Sequence, residues 1–269
     1  MKLKAYAKLN LYLCVKQKKG KLHKIESIFQ NIDLFDVIEI SEKNGEIEYI
    51  GPNFRNNTII KILNILGIKN GLKINLKKNI PTQAGFGGGS SDAAAVLIGL
   101  DYLLKLHLKE NELLEISSKI GSDVPFFIKG GTCLIKDTGN NIEKLDNLPE
   151  IEIVVLKPGY NISTVEAYKK LDENLVECRG NLKKLYDSLK NGNFDQLKKF
   201  SFNSFDTLFS DERWLKESKS KLSKIGGINP MLTGSGSGIF AYLPNDIKIS
   251  VKPPVVKTNF IKKGYEIYA

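Results

Sequence analysis

The feature that most constrains this chain is a glycine-rich loop that runs directly into a helix. Four glycines lie within five residues, at Gly85, Gly87, Gly88 and Gly89. Glycine lets the backbone take positive φ values and approach a ligand closely. The first amides of a helix are unpaired and lie at the positive end of its dipole. Together these properties predict a cradle for phosphate groups.

The residues after the glycines are typical of a helix start. The chain continues with Ser90, Ser91 and Asp92 and then three alanines. A serine is a good N-cap, so Ser90 or Ser91 is predicted to cap the helix, with its hydroxyl near the phosphate or its metal ion. The run from Ala93 to Leu104 has the length and composition of a buried helix.

Two familiar kinds of phosphate loop are excluded. A Walker A loop would close with Gly-Lys-Ser/Thr, which this segment lacks. A dinucleotide fingerprint would need glycine at Ser90, and Pro81 opens the loop where a strand should run straight into the turn. A plain flexible loop stays open from composition alone, although the helix-forming continuation argues against it.

The loop resembles the ATP loop of the GHMP kinases, the superfamily of galacto-, homoserine, mevalonate and phosphomevalonate kinases. Its long form, Gly-Phe-Gly-Gly-Gly-Ser-Ser-Asp-Ala-Ala, is similar to the branch that acts on 4-diphosphocytidyl-2-C-methyl-D-erythritol in the non-mevalonate isoprenoid pathway. The resemblance implies transfer of the γ-phosphoryl group of ATP to the 2-hydroxyl of that acceptor. It also implies that Mg²⁺ arrives with the nucleotide, without a dedicated protein metal site.

Two residues of the loop depart from the branch. Gln83 stands where glycine is common, and Phe86 stands where leucine is common. Neither change removes a backbone donor, so the loop is expected to function. The residues that the resemblance implies in ATP binding at this loop are Pro81, Thr82, Gln83, Ala84, Gly85, Phe86, Gly87, Gly88, Gly89, Ser90 and Ser91.

A second motif lies in the first predicted strand. Apolar residues alternate there with Lys8, Asn10 and Tyr12, as in a strand with two different faces. An exposed lysine on a half-buried strand is one interpretation. The resemblance implies instead that Lys8 is the active-site lysine and that Asn10 lies beside it in the substrate site.

A third motif is Gly-Ser-Asp-Val-Pro, centred on Asp123. Gly121 is predicted to end an amphipathic helix. An aspartate in such a turn commonly bonds to its own backbone, which is the alternative here. The resemblance implies that Asp123 is the catalytic carboxylate, which accepts the proton of the acceptor hydroxyl. Lys8 is expected to keep it ionised, because a nearby cation favours the charged form.

Further residues are implied at the two ends of the site. Asn57 and Lys78 match residues that border the adenine, although Lys78 also belongs to a lysine-rich stretch typical of solvated surface. His23 and Tyr168 match residues of the cytosine pocket, where Leu22 replaces the family's tyrosine. A histidine near a turn is also common as a simple surface residue.

One further residue and one further motif complete the implied site. Thr164 is expected near the cytosine pocket. The motif from Leu232 to Ala241 is expected to pack against the active site through Gly234, Gly236 and Gly238, with a strand-edge turn as the alternative.

Bulk properties indicate a globular protein. The chain has 269 residues, 42% of them hydrophobic, and no apolar run reaches the length of a membrane span. The N-terminus lacks a hydrophobic signal core. Cys14, Cys133 and Cys178 are few and unclustered, which fits a reducing cytoplasm and argues against disulfides or zinc. The net charge of +10 comes from scattered lysines, so we expect no nucleic acid or membrane partner. The resemblance implies a small substrate that carries a cytidine diphosphate group, and we expect a monomer or homodimer.

The whole chain is predicted to have an α+β fold with two domains, residues 1–148 and residues 149–269. The resemblance implies an S5-like N-terminal domain and a ferredoxin-like C-terminal domain, with the active site in the cleft between them. Two other functions stay open. One is a GHMP kinase with another alcohol acceptor, such as homoserine or mevalonate. The other, suggested by the charge and the S5-like half, is an RNA-binding protein without catalysis.

Overall fold

The computed structural model describes residues 1–20, 22–53, 57–174, 176–244 and 249–268. Within them the chain forms two sheets with helices packed against them, the α+β architecture predicted from the sequence. The strands are β1 (Lys2–Lys19), β2 (Leu22–Glu46), β3 (Glu48–Ile50), β4 (Asn70–Lys77), β5 (Thr132–Lys136), β6 (Asn141–Lys144), β7 (Glu152–Leu156), β8 (Ile228–Leu232), β9 (Ile239–Tyr242), β10 (Val255–Asn259) and β11 (Tyr265–Tyr268). The helices are α1 (Thr58–Ile65), α2 (Gly88–Leu103), α3 (Glu110–Ile120), α4 (Val124–Lys129), α5 (Thr164–Glu173), α6 (Leu182–Lys190), α7 (Leu197–Phe200), α8 (Ser204–Leu208) and α9 (Arg213–Lys224).

The larger sheet is organised around two long strands. Its central order is β11-β1-β2-β4-β3, and β5 pairs with both β2 and β6. Strand β2 pairs with β5 along its first part and with β4 along its second part. Strands β1 and β2 form a long antiparallel hairpin in which Lys8 pairs with Asn31 and Asn10 pairs with Phe29. This hairpin carries the residues of the first motif into the middle of the molecule.

The smaller sheet, ordered β10-β7-β9-β8, shares its hydrophobic core with β1. Leu9 and Leu11 of β1 pack in one cluster with Ile153 and Val155 of β7. Strand β11 returns from the end of the chain to pair with β1. The larger sheet therefore includes one strand from the part of the chain after residue 149. The division into domains of residues 1–148 and 149–269 stays a prediction.

Helix α2 is buried through most of its length, as its composition predicts. All residues from Ser91 to Leu100 are buried. The helix begins at Gly88 and not near Ala93, and its N-cap is Gly87, with φ 74°. The prediction that Ser90 or Ser91 caps the helix is therefore wrong. The left-handed turn at Gly87 lets the helix start before the serines, despite the low helix propensity of the two glycines that follow.

Two cysteines form a disulfide bond, and the prediction that disulfides are absent is wrong. Cys14 of β1 is bonded to Cys178, between α5 and α6, with their Cα atoms 5.5 Å apart. The two residues are separated by 164 positions, so their local spacing could not show that folding brings them together. Cys133 is a buried free thiol. Across the described residues, we find no helix with both the length and the apolar character that a bilayer crossing requires.

Candidate active site

A cavity of about 1080 Å³ lies among the glycine loop, the β1–β2 hairpin and helix α5. It exceeds the about 300–1,000 Å³ of an ordinary ligand pocket. Every residue predicted for the site from the sequence lines this cavity, with the exception of Ser91. The folded chain thus brings together motifs that are far apart in the sequence.

The glycine loop ends in a helix start whose amides are free. The first hydrogen bond of α2 runs from the Ser91 N–H to the Gly87 carbonyl, at 2.9 Å. The amides of residues 88–90 therefore have no helical carbonyl to bond. A Cβ atom added at Gly89 would meet no described atom within 4 Å, so the space beside this residue is open. This arrangement fits a phosphate group at the positive end of the helix dipole.

The motif between β8 and β9 packs directly against the glycine loop, as predicted. A Cβ atom at Gly85 would lie only 2.1 Å from the Thr233 carbonyl oxygen. Gly238 donates its N–H to the Ala84 carbonyl at 3.1 Å, and a Cβ atom there would lie 2.3 Å from the same oxygen. These close backbone approaches explain why Gly85 and Gly238 have no side chain, and they hold the glycine loop against the motif between β8 and β9.

The two serines of the loop have different surroundings. Ser90 lines the cavity, so its hydroxyl is within the site. Ser91 is fully buried, and its hydroxyl donates to the Tyr6 carbonyl at 2.6 Å. The prediction that Ser91 belongs to the phosphate site through its hydroxyl is therefore wrong, because that hydroxyl ties α2 to β1. Gln83 adopts φ 53°, in the region that favours glycine.

Lys8 is buried beneath the glycine loop. It is only 4% exposed, which excludes the interpretation as a surface lysine. Its ammonium group donates to Asn10 Oδ1 and lies 4.6 Å from the centroid of the Phe29 ring. Its backbone N–H donates to the Phe86 carbonyl at 2.9 Å, which joins β1 to the loop. Burial lowers the pKa of Lys8, and the negative charge of Asp123 opposes that shift.

Asp123 lies at the junction of α3 and α4, facing the cavity. Gly121 follows the last residue of α3, as predicted, and Pro125 stands in the first turn of α4. The Asp123 side chain does not cap α4, which removes the interpretation as a turn aspartate bonded to its own backbone. Its charge acts on both sides of the cavity. It partly offsets the lowering of the Lys8 pKa by burial, and it adds to the burial that raises the pKa of Tyr168 to about 12.

Lys78 takes part in a buried ion cluster at the other end of the glycine loop. Its ammonium group lies 2.7 Å from Asp92 and also bonds to Asp36. Its side chain is only 12% exposed, so the interpretation as a solvated lysine is wrong. Burial raises the pKa of Asp92, with Lys78 opposing the shift and Asp36 adding to it. Nearby, Asn57 caps α1 by accepting the Ile59 N–H at 3.0 Å.

His23 and Tyr168 lie side by side at the far end of the cavity, with ring centroids 5.0 Å apart. The interpretation of His23 as a simple surface residue does not hold, since its side chain is 11% exposed. Leu22 is 59% exposed, so the position of the family's tyrosine is open to solvent. Thr164 begins α5, and its hydroxyl lies 3.1 Å from that of Ser235.

Three acidic residues of the site were missed by the sequence analysis: Asp36, Asp92 and Asp172. Asp172 follows Tyr168 by four positions on α5, so helical spacing places it on the same face and could have identified it. Asp92 stands inside the glycine motif itself. Asp36 had no local signal, because it reaches Lys78 only through the pairing of β2 with β4.

Relatives of known name match nearly the whole chain. The family profile described as "GHMP kinases N terminal domain" matches residues 55–131. A protein of Caldicellulosiruptor bescii named 4-diphosphocytidyl-2-C-methyl-D-erythritol kinase is 33% identical over 98% of this chain and 100% of its own length. This chain belongs to that family. A protein of the same name from Clostridium perfringens (strain 13 / Type A) is 35% identical over 90% of this chain and 88% of its own length.

Solved structures agree with the family assignment. A crystal structure of 4-(cytidine 5'-diphospho)-2C-methyl-D-erythritol kinase has a TM-score of 0.82 at 25% identity, over 97% of this chain and 99% of that chain. A homoserine kinase from Cytophaga hutchinsonii has a TM-score of 0.70 at 17% identity, over 99% of this chain and 96% of that chain, which shows a shared fold. The GHMP kinase fold implied by the loop motif is confirmed.

Proposed function

We propose that this protein transfers the γ-phosphoryl group of ATP to the 2-hydroxyl of 4-diphosphocytidyl-2-C-methyl-D-erythritol, giving the 2-phosphate and ADP. The reaction belongs to the non-mevalonate route to isoprenoid precursors. The observation that carries the proposal is one cavity lined by an open helix N-terminus, by Lys8 and Asp123, and by the His23–Tyr168 pair. The near full-length relatives of that name support the choice of acceptor.

Phosphoryl transfer depends mainly on positioning and on neutralising charge. The amides of residues 88–90 bind the phosphates, and Asn57 and Lys78 border the base of the nucleotide. Mg²⁺, when bound with ATP, supplies further neutralisation of phosphate charge. No cluster of three or more His, Cys, Asp or Glu that could hold a metal ion occurs in the described part of the chain. When Mg²⁺ is bound with the nucleotide, the Ser90 hydroxyl, which lines the cavity, would be a protein donor to it beside the phosphate oxygens.

Asp123 acts as the general base in this proposal. Its carboxylate faces the cavity and accepts the proton of the attacking hydroxyl, a role worth about 10²–10⁴ in rate. Lys8 stabilises the charge that develops on the acceptor oxygen and the phosphoryl group, since its ammonium group is buried and held by Asn10. The bond to Asn10 orients Lys8 before substrate arrives.

The cytosine of the acceptor lies between His23, Tyr168 and Thr164. Asp123 stands between this end of the cavity and the nucleotide. The two substrates, ATP and a cytidine-linked alcohol, indicate a reaction in the cytoplasm, where the Cys14–Cys178 disulfide is an exception to the reduced thiols that are usual there. The reaction calls for no further partner, and the chain acts as a monomer or a homodimer.

The test is ADP release from Mg·ATP with diphosphocytidyl-methylerythritol, homoserine and mevalonate supplied separately. We expect turnover with the cytidyl acceptor and not with the other two. Turnover with homoserine or mevalonate alone would keep the kinase chemistry and overturn the acceptor. Absence of turnover with all three would overturn the proposal, and salt-dependent RNA binding would then be measured by filter binding.

A further inference from the structure

His23 is held by a carboxylate that the proposed chemistry does not use. Its Nε2 atom lies 2.8 Å from Oδ1 of Asp172. Asp172 is on α5, one helical turn after Tyr168, and it reaches across the cavity to strand β2. The other ring nitrogen of His23, Nδ1, makes no hydrogen bond to any described residue. The histidine therefore has one nitrogen fixed by the protein and one left for a ligand.

The contact with Asp172 determines which nitrogen carries hydrogen. An ionised carboxylate only accepts hydrogen bonds, so Nε2 must donate. Lys18 also bonds to Asp172, and its hydrogen bond holds the pKa of that carboxyl below its usual value. In the neutral imidazole, hydrogen on Nε2 leaves Nδ1 as an acceptor. Asp172 thereby makes the free nitrogen of His23 a hydrogen-bond acceptor.

The stacking surface cannot by itself select a pyrimidine. Tyr168 is held by the Phe205 ring, with centroids 5.0 Å apart, and stands beside His23. Leu22, at the position of the family's tyrosine, has no aromatic ring and is 59% exposed. Stacking is tolerant of base identity, because every base has a π-face. Discrimination at this end of the cavity must therefore come from hydrogen bonds to the edge of the base.

Cytosine and uracil differ at that edge. Cytosine carries an exocyclic amine, which donates, where uracil carries a carbonyl oxygen, which accepts. An acceptor at Nδ1 of His23 matches the amine and repels the carbonyl. We propose that Asp172 is a positioning residue that fixes the tautomer of His23 and so makes the site select an aminopyrimidine over uracil. This inference rests on the proposed function, since it presupposes a cytidine-linked acceptor.

Kinetics of four proteins test the selectivity. We would measure kcat and KM with the cytidyl acceptor and with its uracil analogue for wild type, Asp172→Ala, Asp172→Asn and Lys18→Met. Asp172→Ala should raise KM for the cytidyl acceptor about tenfold or more, with little change in kcat, and should reduce the preference over uracil by a similar factor. Asp172→Asn should keep the preference, because its side-chain oxygen still accepts from Nε2.

Lys18→Met is the matched control. It removes the ion pair with Asp172 but leaves the bond between Asp172 and His23. Retained preference in this variant supports the inference. An equal loss in Lys18→Met and Asp172→Ala would show that Asp172 acts only by joining α5 to the hairpin, and would overturn it. No turnover of the cytidyl acceptor by wild type would overturn the proposed function instead.

A second measurement reads the tautomer without any acceptor. The chain has two histidines, so His107→Asn leaves His23 as the only imidazole. His107 has φ 54°, a conformation that asparagine tolerates. The ¹⁵N spectrum of this variant should show hydrogen on Nε2, and adding Asp172→Ala should shift the ring toward the other tautomer. Hydrogen on Nδ1 while Asp172 is present would overturn the inference, whatever the enzyme phosphorylates.

Discussion

At the scale of the residue, the proposed reaction depends on two charged side chains that the fold leaves available for chemistry. Lys8 is buried and held by Asn10, and Asp123 faces the cavity without capping its own helix. Burying an ammonium group is unfavourable, and the lowered pKa of Lys8 reflects that penalty. A buried lysine of this kind is typical of a functional site.

Asp123→Asn tests the base at this scale. The amide keeps the shape of the side chain but cannot accept the proton, so kcat should fall by about 10²–10⁴. ATP binding should survive, because the phosphate cradle is built from other residues. Steady-state kinetics and calorimetric titration with ATP measure the two effects.

Asp195→Asn is the matched control, since Asp195 is exposed and does not line the cavity. It should leave both quantities unchanged. Near-normal turnover by Asp123→Asn would contradict the assignment of the base.

The sequence predicted those site residues that stand in short motifs. Lys8, Asp123 and His23 each lie in such a motif, and all three line the cavity. It could not predict the role of Asp36, whose contact with Lys78 joins positions far apart in the chain. It also misassigned Ser91, because the direction of a side chain depends on the exact start of the helix.

At the scale of the element, the start of α2 is the feature that most depends on a single residue. Gly87 has φ 74°, and a Cβ atom there would lie 2.8 Å from the Phe127 ring and 3.0 Å from Lys8 Cγ. Gly87→Ala should therefore lower the free energy of unfolding by about 1–3 kcal/mol, through backbone strain and steric overlap. Urea unfolding measures this loss.

Gly89→Ala is the control for that prediction. Its Cβ atom would meet no described atom within 4 Å, and alanine is the better helix former by about 1 kcal/mol. Its stability should equal or exceed that of wild type, while its affinity for ATP falls because the methyl group occupies the phosphate space. Equal destabilisation by the two substitutions would contradict the role given to Gly87.

The ion cluster of Lys78, Asp36 and Asp92 makes a second prediction for this element. Burial raises the pKa of Asp92 from 3.8 to about 8. A folded-state pKa above the unfolded value means that the folded protein binds the proton more tightly. The stability that this group contributes is therefore present at low pH. It is lost as the pH rises through the window from 3.8, the ordinary pKa, to about 8, the pKa in the folded protein.

Asp92→Asn removes this titration. The stability of the variant relative to wild type should therefore rise with pH across the window. Urea unfolding of both proteins at the two ends of the window measures the change. A stability difference that does not vary with pH would contradict the raised pKa.

At the scale of the whole molecule, β1 is where the two halves meet. Its residues share a core with the smaller sheet, β11 returns to pair with it, and Cys14 bonds to Cys178. None of these contacts could be predicted from local pattern, because each joins segments that are distant in the chain. The glycine motif and its helix could be predicted because their geometry is set by neighbouring residues.

The disulfide gives a prediction at this scale. Denatured, unreduced protein should show one free thiol of its three cysteines, and reduced protein should show three. Because the bond spans 164 positions, Cys14→Ser should lower the free energy of unfolding by about 2–4 kcal/mol. Cys133→Ser is the control for thiol counting, since it should leave none before reduction. Three thiols without reductant would contradict the bond.

The central claim is tested most directly by the phosphorus NMR spectrum of the product formed from Mg·ATP and diphosphocytidyl-methylerythritol. We expect one new phosphomonoester, on the 2-hydroxyl, for each ADP released, and we expect its signal to be lost in Asp123→Asn. A phosphate on another hydroxyl, or ADP formed without any phosphorylated acceptor, would contradict it.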